Sequence, residues 1–413
     1  MSSVVPAPLT ASNRNRSFHL QPDMTQNFTQ VLADISRLRD VTFSNNEERS
    51  QVRLALWKLL TEIESPWETV HRLAWMEPAF VAALKVCLDI DLFKKWTEDG
   101  GGPKSVVELA RITGADEALL GRVARHLAAM FALREISEDT YYLTPFTESL
   151  AKPGASDTIP FMIGSTWPAF LHLPQYLADN SYQNPSDPKC SNWQATKQSD
   201  QSYFEFISSD PQRVQTFQNV MDAYNTARGN WVDLYPTDRL VANWNPDRPL
   251  LVDAGGGKGL DIMRFRERHS GLPSGSLVLQ ELEAAVPTIS VHESIKVMGH
   301  NLFEEQPVKG ARAYYTHIVF HGWSDQEAVK VLKLLAASME KGYSTLLLHE
   351  KVVPTQGATP DITAGDLTMM ATFSARERTF RMWEELLTLA GFKIVKLWSS
   401  PAFPESIIET QLL

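Results

Sequence analysis

Residues 319–325 read VFHGWSD: a histidine closes an apolar run, and Ser324 and Asp325 open a helical stretch. Imidazole is the side chain whose ordinary pKa permits proton transfer near neutral pH. A lone histidine is more often structural, so the chemistry of His321 depends on its company. A second stretch, VDAGGGKG, places glycines at 255, 257 and 259 between an apolar strand and a helix. Glycine lets backbone approach a ligand closely, and the helix start offers unpaired N–H groups. A phosphate-binding loop would need Ser or Thr after Lys258, where Gly259 stands; a dinucleotide fingerprint would need glycine at 260, where Leu260 stands. The remaining spacing suits a nucleoside-carrying ligand without a pyrophosphate. Glu281 closes the next strand, SLVLQE, where a carboxylate can accept hydrogen bonds from both ribose hydroxyls.

These residues need a frame. From about 250 onward, apolar strand-like runs (PLLVDA, SLVLQELE, ARAYYTHIVF, STLLLHEKVVP, IVKLWSS, SIIETQLL) alternate with helical stretches (LDIMRFRERH, DQEAVKVLKLLAASMEKG, FRMWEELLTLAGF). That alternation predicts a parallel sheet covered on both faces. Upstream the pattern is helical, with apolar residues every three or four positions in EERSQVRLALWKLLTEI and AFVAALKVCLDIDLFKKW. Residues 105–146 read helix, Gly114 turn, helix, then two short strands, a winged helix-turn-helix order. Residues 150–200 read as loop-rich, and SYFEFI and PQRVQTFQNVMDAYNTARGNWVDLY as helices. The predicted organisation is an N-terminal arm over 1–46 with one helix in QNFTQVLADISRLRD, a helical and winged-helix part over 47–245, and a sheet domain over 246–413.

Composition narrows the function. With 43% hydrophobic and 21% charged residues, the chain can build a large core. A formal charge of −10 disfavours a nucleic-acid backbone or an anionic membrane as partner. The second helix of the winged unit opens on Asp116 and Glu117, which would repel phosphate, so DNA binding is not expected. Cys87 and Cys190 share no metal-ligand spacing and fit a reducing compartment. No signal-type apolar segment opens the chain, and no run approaches membrane-spanning length. A cytoplasmic enzyme without a metal is expected.

The blocks LVDAGGGKG, LVLQELEAAV, GHNLFEEQPVKGARAYY, FHGWSD, LLLHEKVVP and RERTFRMWEELLTLAGF resemble, in order, those of the S-adenosylmethionine (SAM) dependent O-methyltransferases of plant and fungal secondary metabolism. The resemblance runs over about residues 47–413. It implies a Rossmann-like α/β SAM-binding domain behind a helical, winged-helix dimerisation domain, and hence a homodimer. It assigns His321 as general base, with Glu350 and Glu377 holding its ring. It assigns the cofactor to Asp253, Gly255, Gly257, Gly259, Glu281, Asn301, Leu302 and His317. Three positions depart from the family: Gly322 and Asn301 stand where aspartates are usual, and His317 where Lys or Arg is usual.

A substrate pocket is expected between the two parts, at the carboxyl edge of the sheet. Trp167, Phe170, His172, Phe217, Met221, Tyr224, Trp323, Met369 and Phe373 are its candidates, and as a set they imply a flat aromatic or polyketide-like ligand. The expected reaction is methylation of a hydroxyl on such a small molecule. The alternative is the pericyclase or cyclase chemistry of some fungal relatives, in which SAM is bound but not spent.

Overall fold

The computed structural model describes residues 24–38, 41–226, 228–401 and 403–413. The described chain forms two compact units, one ending at Leu56 and one from Trp57 to Leu413. In the first, helix Met24–Arg37 matches the one predicted in the arm, and Asn46 begins a helix that ends at Ile63. Of the predicted arm, residues 1–23, 39 and 40 lie outside the described residues.

Residues 104–143 keep the predicted order. Helices Val106–Thr113 and Glu117–Ala129 are followed by strands β2 (Leu133–Ser137) and β3 (Thr140–Leu143), and β1 (Lys104–Ser105) adds a third strand to give the order β1-β3-β2. Local chemistry fixes the helix ends. Ser105 and Glu108 form a reciprocal capping box, and Gly114 at φ 76° supplies the left-handed stop. Leu109, Leu120, Leu127 and Tyr141 are buried together with Phe93 and Trp96.

The segment read as loop-rich is instead largely helical: Ala155–Gly164, Thr166–Asp179 and Asn192–Lys197. Pro160 and Pro174 lie inside the first two helices and mask them in the sequence.

The main sheet has strands β4 (Leu251–Ala254), β5 (Leu277–Glu281), β6 (Ile295–Gly299), β7 (Ala313–His317), β8 (Thr345–Glu350), β11 (Phe392–Trp398) and β12 (Ser406–Leu412) in the order β11-β12-β8-β7-β4-β5-β6. The predicted all-parallel sheet is corrected: β12 runs antiparallel to both β8 and β11. Residues 399–405 are too few for a crossover, so β12 has to turn back beside β11. Strand β6 and helix Pro360–Phe373 were also missing from the sequence reading.

Two cores sandwich this sheet. Val252, Tyr314, Leu346 and Leu348 pack against helices Asp325–Ala336 and Phe380–Leu389. Leu251, Tyr315, Leu347 and Ile407 face Trp231, Ile262 and Phe265 on the other side. The chain leaves β4 for β5 and β6 in one direction and returns through β7 and β8 in the other. The crevice between the carboxyl ends of β4 and β7 is therefore the switch point where such sheets take ligands. Among the described residues, no helix is long and apolar enough to cross a membrane.

Candidate active site

The glycine loop forms one wall of the crevice. Gly257 adopts φ 57° and nothing lies within 4 Å of where its Cβ would be, so the loop is open on that side. Its N–H donates to Glu281 Oε1 at 3.1 Å, and the Leu282 N–H donates to Oε2 at 2.7 Å. Burial pushes the Glu281 carboxyl up, and these two donors oppose the push. At Gly256 a Cβ would lie 2.5 Å from the Asp253 carboxylate and from Leu279, so only glycine lets the loop close over β4. Gly255 faces Val319 and Leu302, while Gly259 packs against Val291 and Leu279.

Asp253 lies fully buried beneath the loop rather than at its mouth. Burial first, then the charges of Asp261 and Glu281, push its carboxyl well above the carboxylate range. Asn301 is exposed and accepts the Phe303 N–H at 3.1 Å. An open glycine cradle beside a strand-end carboxylate fits a nucleoside-bearing cofactor.

His321 sits in a short 3-10 turn, Phe320–Gly322, directly after β7. The entry is strained: Ile318, a β-branched residue, adopts φ 53°. That conformation costs roughly 1–2 kcal/mol. Glu350 and Arg378 hold the turn in place. Glu350 Oε1 accepts the N–H groups of Val319 at 2.9 Å and Phe320 at 2.8 Å. Arg378, buried, donates to the carbonyls of Phe320 and Trp323, each at 2.7 Å, and to Asp325 Oδ1 at 2.9 Å. The end of β8 carries Glu350 to the turn, and a two-stranded parallel ladder, β9 (Val352–Val353) with β10 (Arg378–Thr379), carries Arg378 there.

The imidazole itself is held by Glu377, whose Oε1 lies 3.0 Å from His321 Nδ1. Of the two glutamates, Glu377 bonds the ring, while Glu350 bonds the backbone of the turn and keeps a carboxylate oxygen within 4.8 Å of both the ring and Glu377. Burial pushes the Glu350 carboxyl up; the His321 charge opposes this and the Glu377 charge adds to it. His321 Nε2 has no protein partner among the described residues. An aimed imidazole with one nitrogen anchored and the other free is equipped to accept a proton.

His317 lies four residues earlier on the other face of the sheet. Its Nδ1 is 2.6 Å from Asp261 Oδ2, and its ring stacks on His349 with centroids 4.0 Å apart and planes 15° from parallel. His349 Nδ1 meets the Tyr315 hydroxyl at 2.8 Å. The Nε2 atoms of both rings are buried without a hydrogen-bond partner among the described residues. Donor atoms of His317, His349 and Glu405 lie within 4.8 Å of one another. Stacked rings point their lone pairs in parallel and cannot converge on one ion, and Glu405 is already paired with the Arg228 guanidinium.

The substrate candidates separate into groups. Phe170, Phe217 and Phe373 pack with Trp193 and Tyr203 in an aromatic cluster. Phe217, Met221 and Tyr224 share one stripe of helix Pro211–Thr226. That helix reaches the glycine loop through Asn219, whose Oδ1 is 3.2 Å from Lys258 Nζ. The Tyr224 ring lies 3.4 Å from the Arg228 guanidinium and 5.9 Å from Lys351 Nζ. Met369 is buried on helix Pro360–Phe373, and Trp167 is exposed. His172 is tied to Asn192 at 2.8 Å. Trp323 packs on Phe303 and Phe320 in the core beneath the turn. Lys351, Arg378, Asp261, Tyr315 and His349 were not singled out from the sequence. For Lys351 and His349 the only signal was adjacency to Glu350 in LLLHEK.

Residues 189–393 match the O-methyltransferase domain family. The chain is 38% identical to the O-methyltransferase mfmE of Annulohypoxylon moriforme over 371 residues, covering 90% of this chain and 92% of that one. It is 35% identical to the O-methyltransferase mpaG of Penicillium brevicompactum, covering 90% and 95%. Among solved structures it is similar to LepI in complex with SAM, with a TM-score of 0.86 and 27% identity over 94% of this chain and 100% of that chain. The same values hold for a structure described as a pericyclic reaction enzyme. OxaC in complex with S-adenosylhomocysteine and oxaline gives a TM-score of 0.80 at 25% identity, covering 95% and 99%. With the glycine cradle, Glu281 and the anchored His321 in place, these similarities lead to one conclusion: the chain belongs to the O-methyltransferase family.

Proposed function

We propose that this protein methylates a hydroxyl of a small aromatic or polyketide-like molecule, with His321 as general base. The carrying observation is His321 itself, anchored through Nδ1 to Glu377 and without a protein partner at Nε2 among the described residues. The family's cofactor, SAM, supplies a methyl group on a positively charged sulfur. Gly255, Gly257 and Gly259 with Glu281 would hold its nucleoside, with Leu302 and Asn301 beside it, and His317 lies next to that crevice. His321 Nε2 takes the proton as the acceptor oxygen attacks; Glu377 steadies the resulting imidazolium. Glu350 and Arg378 keep the turn from shifting as charge develops.

In this reading residues 47–245 supply the substrate wall and a homodimer contact, and residues 246–413 bind the cofactor. Leu59, Leu60, Ile63, Trp67, Leu73 and Trp75 are exposed on consecutive helical turns. An apolar surface of that kind supports an interface with a second copy. A monomer in sedimentation at micromolar concentration contradicts the dimer.

The similarity to a structure described as a pericyclic reaction enzyme supports a second reading, in which SAM is bound and not consumed. Product mass separates the two. Methyl transfer yields a product heavier by one methyl group and one S-adenosylhomocysteine per turnover. An isomerised or dehydrated product with SAM intact would establish the second reading instead.

A further inference from the structure

Lys351 follows Glu350 at the end of β8, and its side chain is 5% exposed. Its Nζ lies 3.6 Å from Glu377 Oε1, the same oxygen that holds His321 Nδ1 at 3.0 Å. Space is reserved for it: a Cβ on Gly365 would collide with Lys351 Nζ and come within 3.2 Å of Glu377 Oε1. Burial first, and then the Arg228 charge, lower the pKa of this lysine, and Glu377 is the main opposing influence.

We propose that Lys351 is a positioning residue for the base: its ammonium keeps Glu377 ionised, so that His321 carries its proton on Nδ1 and leaves Nε2 free. The proposal rests on methyl transfer with His321 as base. Two buried carboxylates, Glu350 and Glu377, share this site with donor atoms within 4.8 Å of the imidazole and of each other. Like charges so close draw a proton onto one of them. Were that one Glu377, its O–H would donate to Nδ1, the ring proton would move to Nε2, and the base would be lost. Lys351 beside Glu377 directs the shared proton to Glu350, whose single bonded oxygen already serves backbone N–H groups. Asp366 accepts the Glu377 N–H at 2.9 Å, and Arg228, Asp361 and Tyr224 also act electrostatically on this cluster.

The test uses the full chain with S-adenosylhomocysteine bound and histidine rings labelled with nitrogen-15. In the wild type, His321 gives an Nδ1–H signal and an unprotonated Nε2. Lys351→Met moves the proton toward Nε2, and Lys351→Arg retains the wild-type pattern. With an acceptor, Lys351→Met lowers kcat roughly ten- to hundredfold with SAM affinity unchanged, and moves the acid limb of the rate profile to higher pH. Wild-type tautomer and limb in Lys351→Met, or equal losses in the Met and Arg variants, overturn the proposal. Should Lys351→Met fail to fold, Gly365→Ala, which displaces the ammonium and keeps its charge, carries the same tautomer readout. The tautomer needs no turnover, so absence of methyl transfer to any acceptor would count against the proposed function and leave the reading of Lys351 decided by the rings.

Discussion

Strands β7 and β8 end in two imidazole–carboxylate pairs, one on each face of the sheet. On one face His321 Nδ1 meets Glu377 at 3.0 Å; on the other His317 Nδ1 meets Asp261 at 2.6 Å. Neighbouring residues on β8 supply both sides, His349 to the second and Glu350 to the first, because side chains alternate along a strand. The surroundings differ. The first pair sits on a turn clamped by Glu350 and Arg378, with a buried lysine beside its carboxylate and a free Nε2. The second is stacked on another imidazole, and its Nε2 is buried without a hydrogen-bond partner among the described residues. A histidine–carboxylate contact is therefore not itself a catalytic feature; in the proposed reading, backing of the backbone and access to Nε2 distinguish the base from its counterpart.

The largest effect expected is on the clamp. Arg378→Met leaves the Trp323 carbonyl without its donor, at roughly 1–3 kcal/mol, and leaves the Phe320 carbonyl only the Trp323 N–H at 3.3 Å. Urea denaturation should show that loss, with activity lost in parallel. An unchanged midpoint means the turn does not need its clamp. Glu377→Gln is expected next. It exchanges a charged acceptor for a neutral one, removing about 1.5–3 kcal/mol from the charged imidazole. Steady-state rates should fall roughly ten- to hundredfold while the melting temperature barely moves.

The stacked pair should reveal itself through pH. Burial first, then the His317, Arg228 and Arg264 charges, hold the His349 pKa well below 6.5. Below pH 6.5 the unfolded chain therefore binds a proton that the folded chain refuses. Stability then falls with pH, by at most about 1.4 kcal/mol per pH unit for this one group. His349→Gln should flatten that part of the acid limb in urea titrations; an unaltered slope would place the acid sensitivity elsewhere. The smallest effect belongs to Gly322→Ala. Nothing lies within 4 Å of the added Cβ, so stability should change by under about 0.5 kcal/mol. A large loss would mean that the turn tolerates glycine alone.

How much of this was legible in the sequence depends on the range of the forces involved. The glycine loop, Glu281 and His321 stand at junctions of strand, turn and helix, where local residue types dictate geometry. The departure of His317 from the family's Lys or Arg was also visible, though its partner Asp261 was not. The contacts of Glu350, Lys351 and Arg378 join the end of β8 to the ladder of β9 with β10, a register set by tertiary packing. Helix Pro360–Phe373 escaped because Gly365 and three threonines weaken its pattern, and Gly365 is there for Lys351. The reversed β12 was readable in principle, since residues 399–405 cannot form a crossover.

The most direct test compares the two histidines in one assay of methyl transfer at saturating SAM. His321→Ala should lower kcat roughly 10²–10⁴-fold with SAM affinity nearly unchanged. His317→Ala should leave kcat nearly intact, and any cost should appear in SAM affinity or in stability. Equal losses of kcat in the two variants, or the larger loss in His317→Ala, would contradict the assignment of proton transfer to the clamped face.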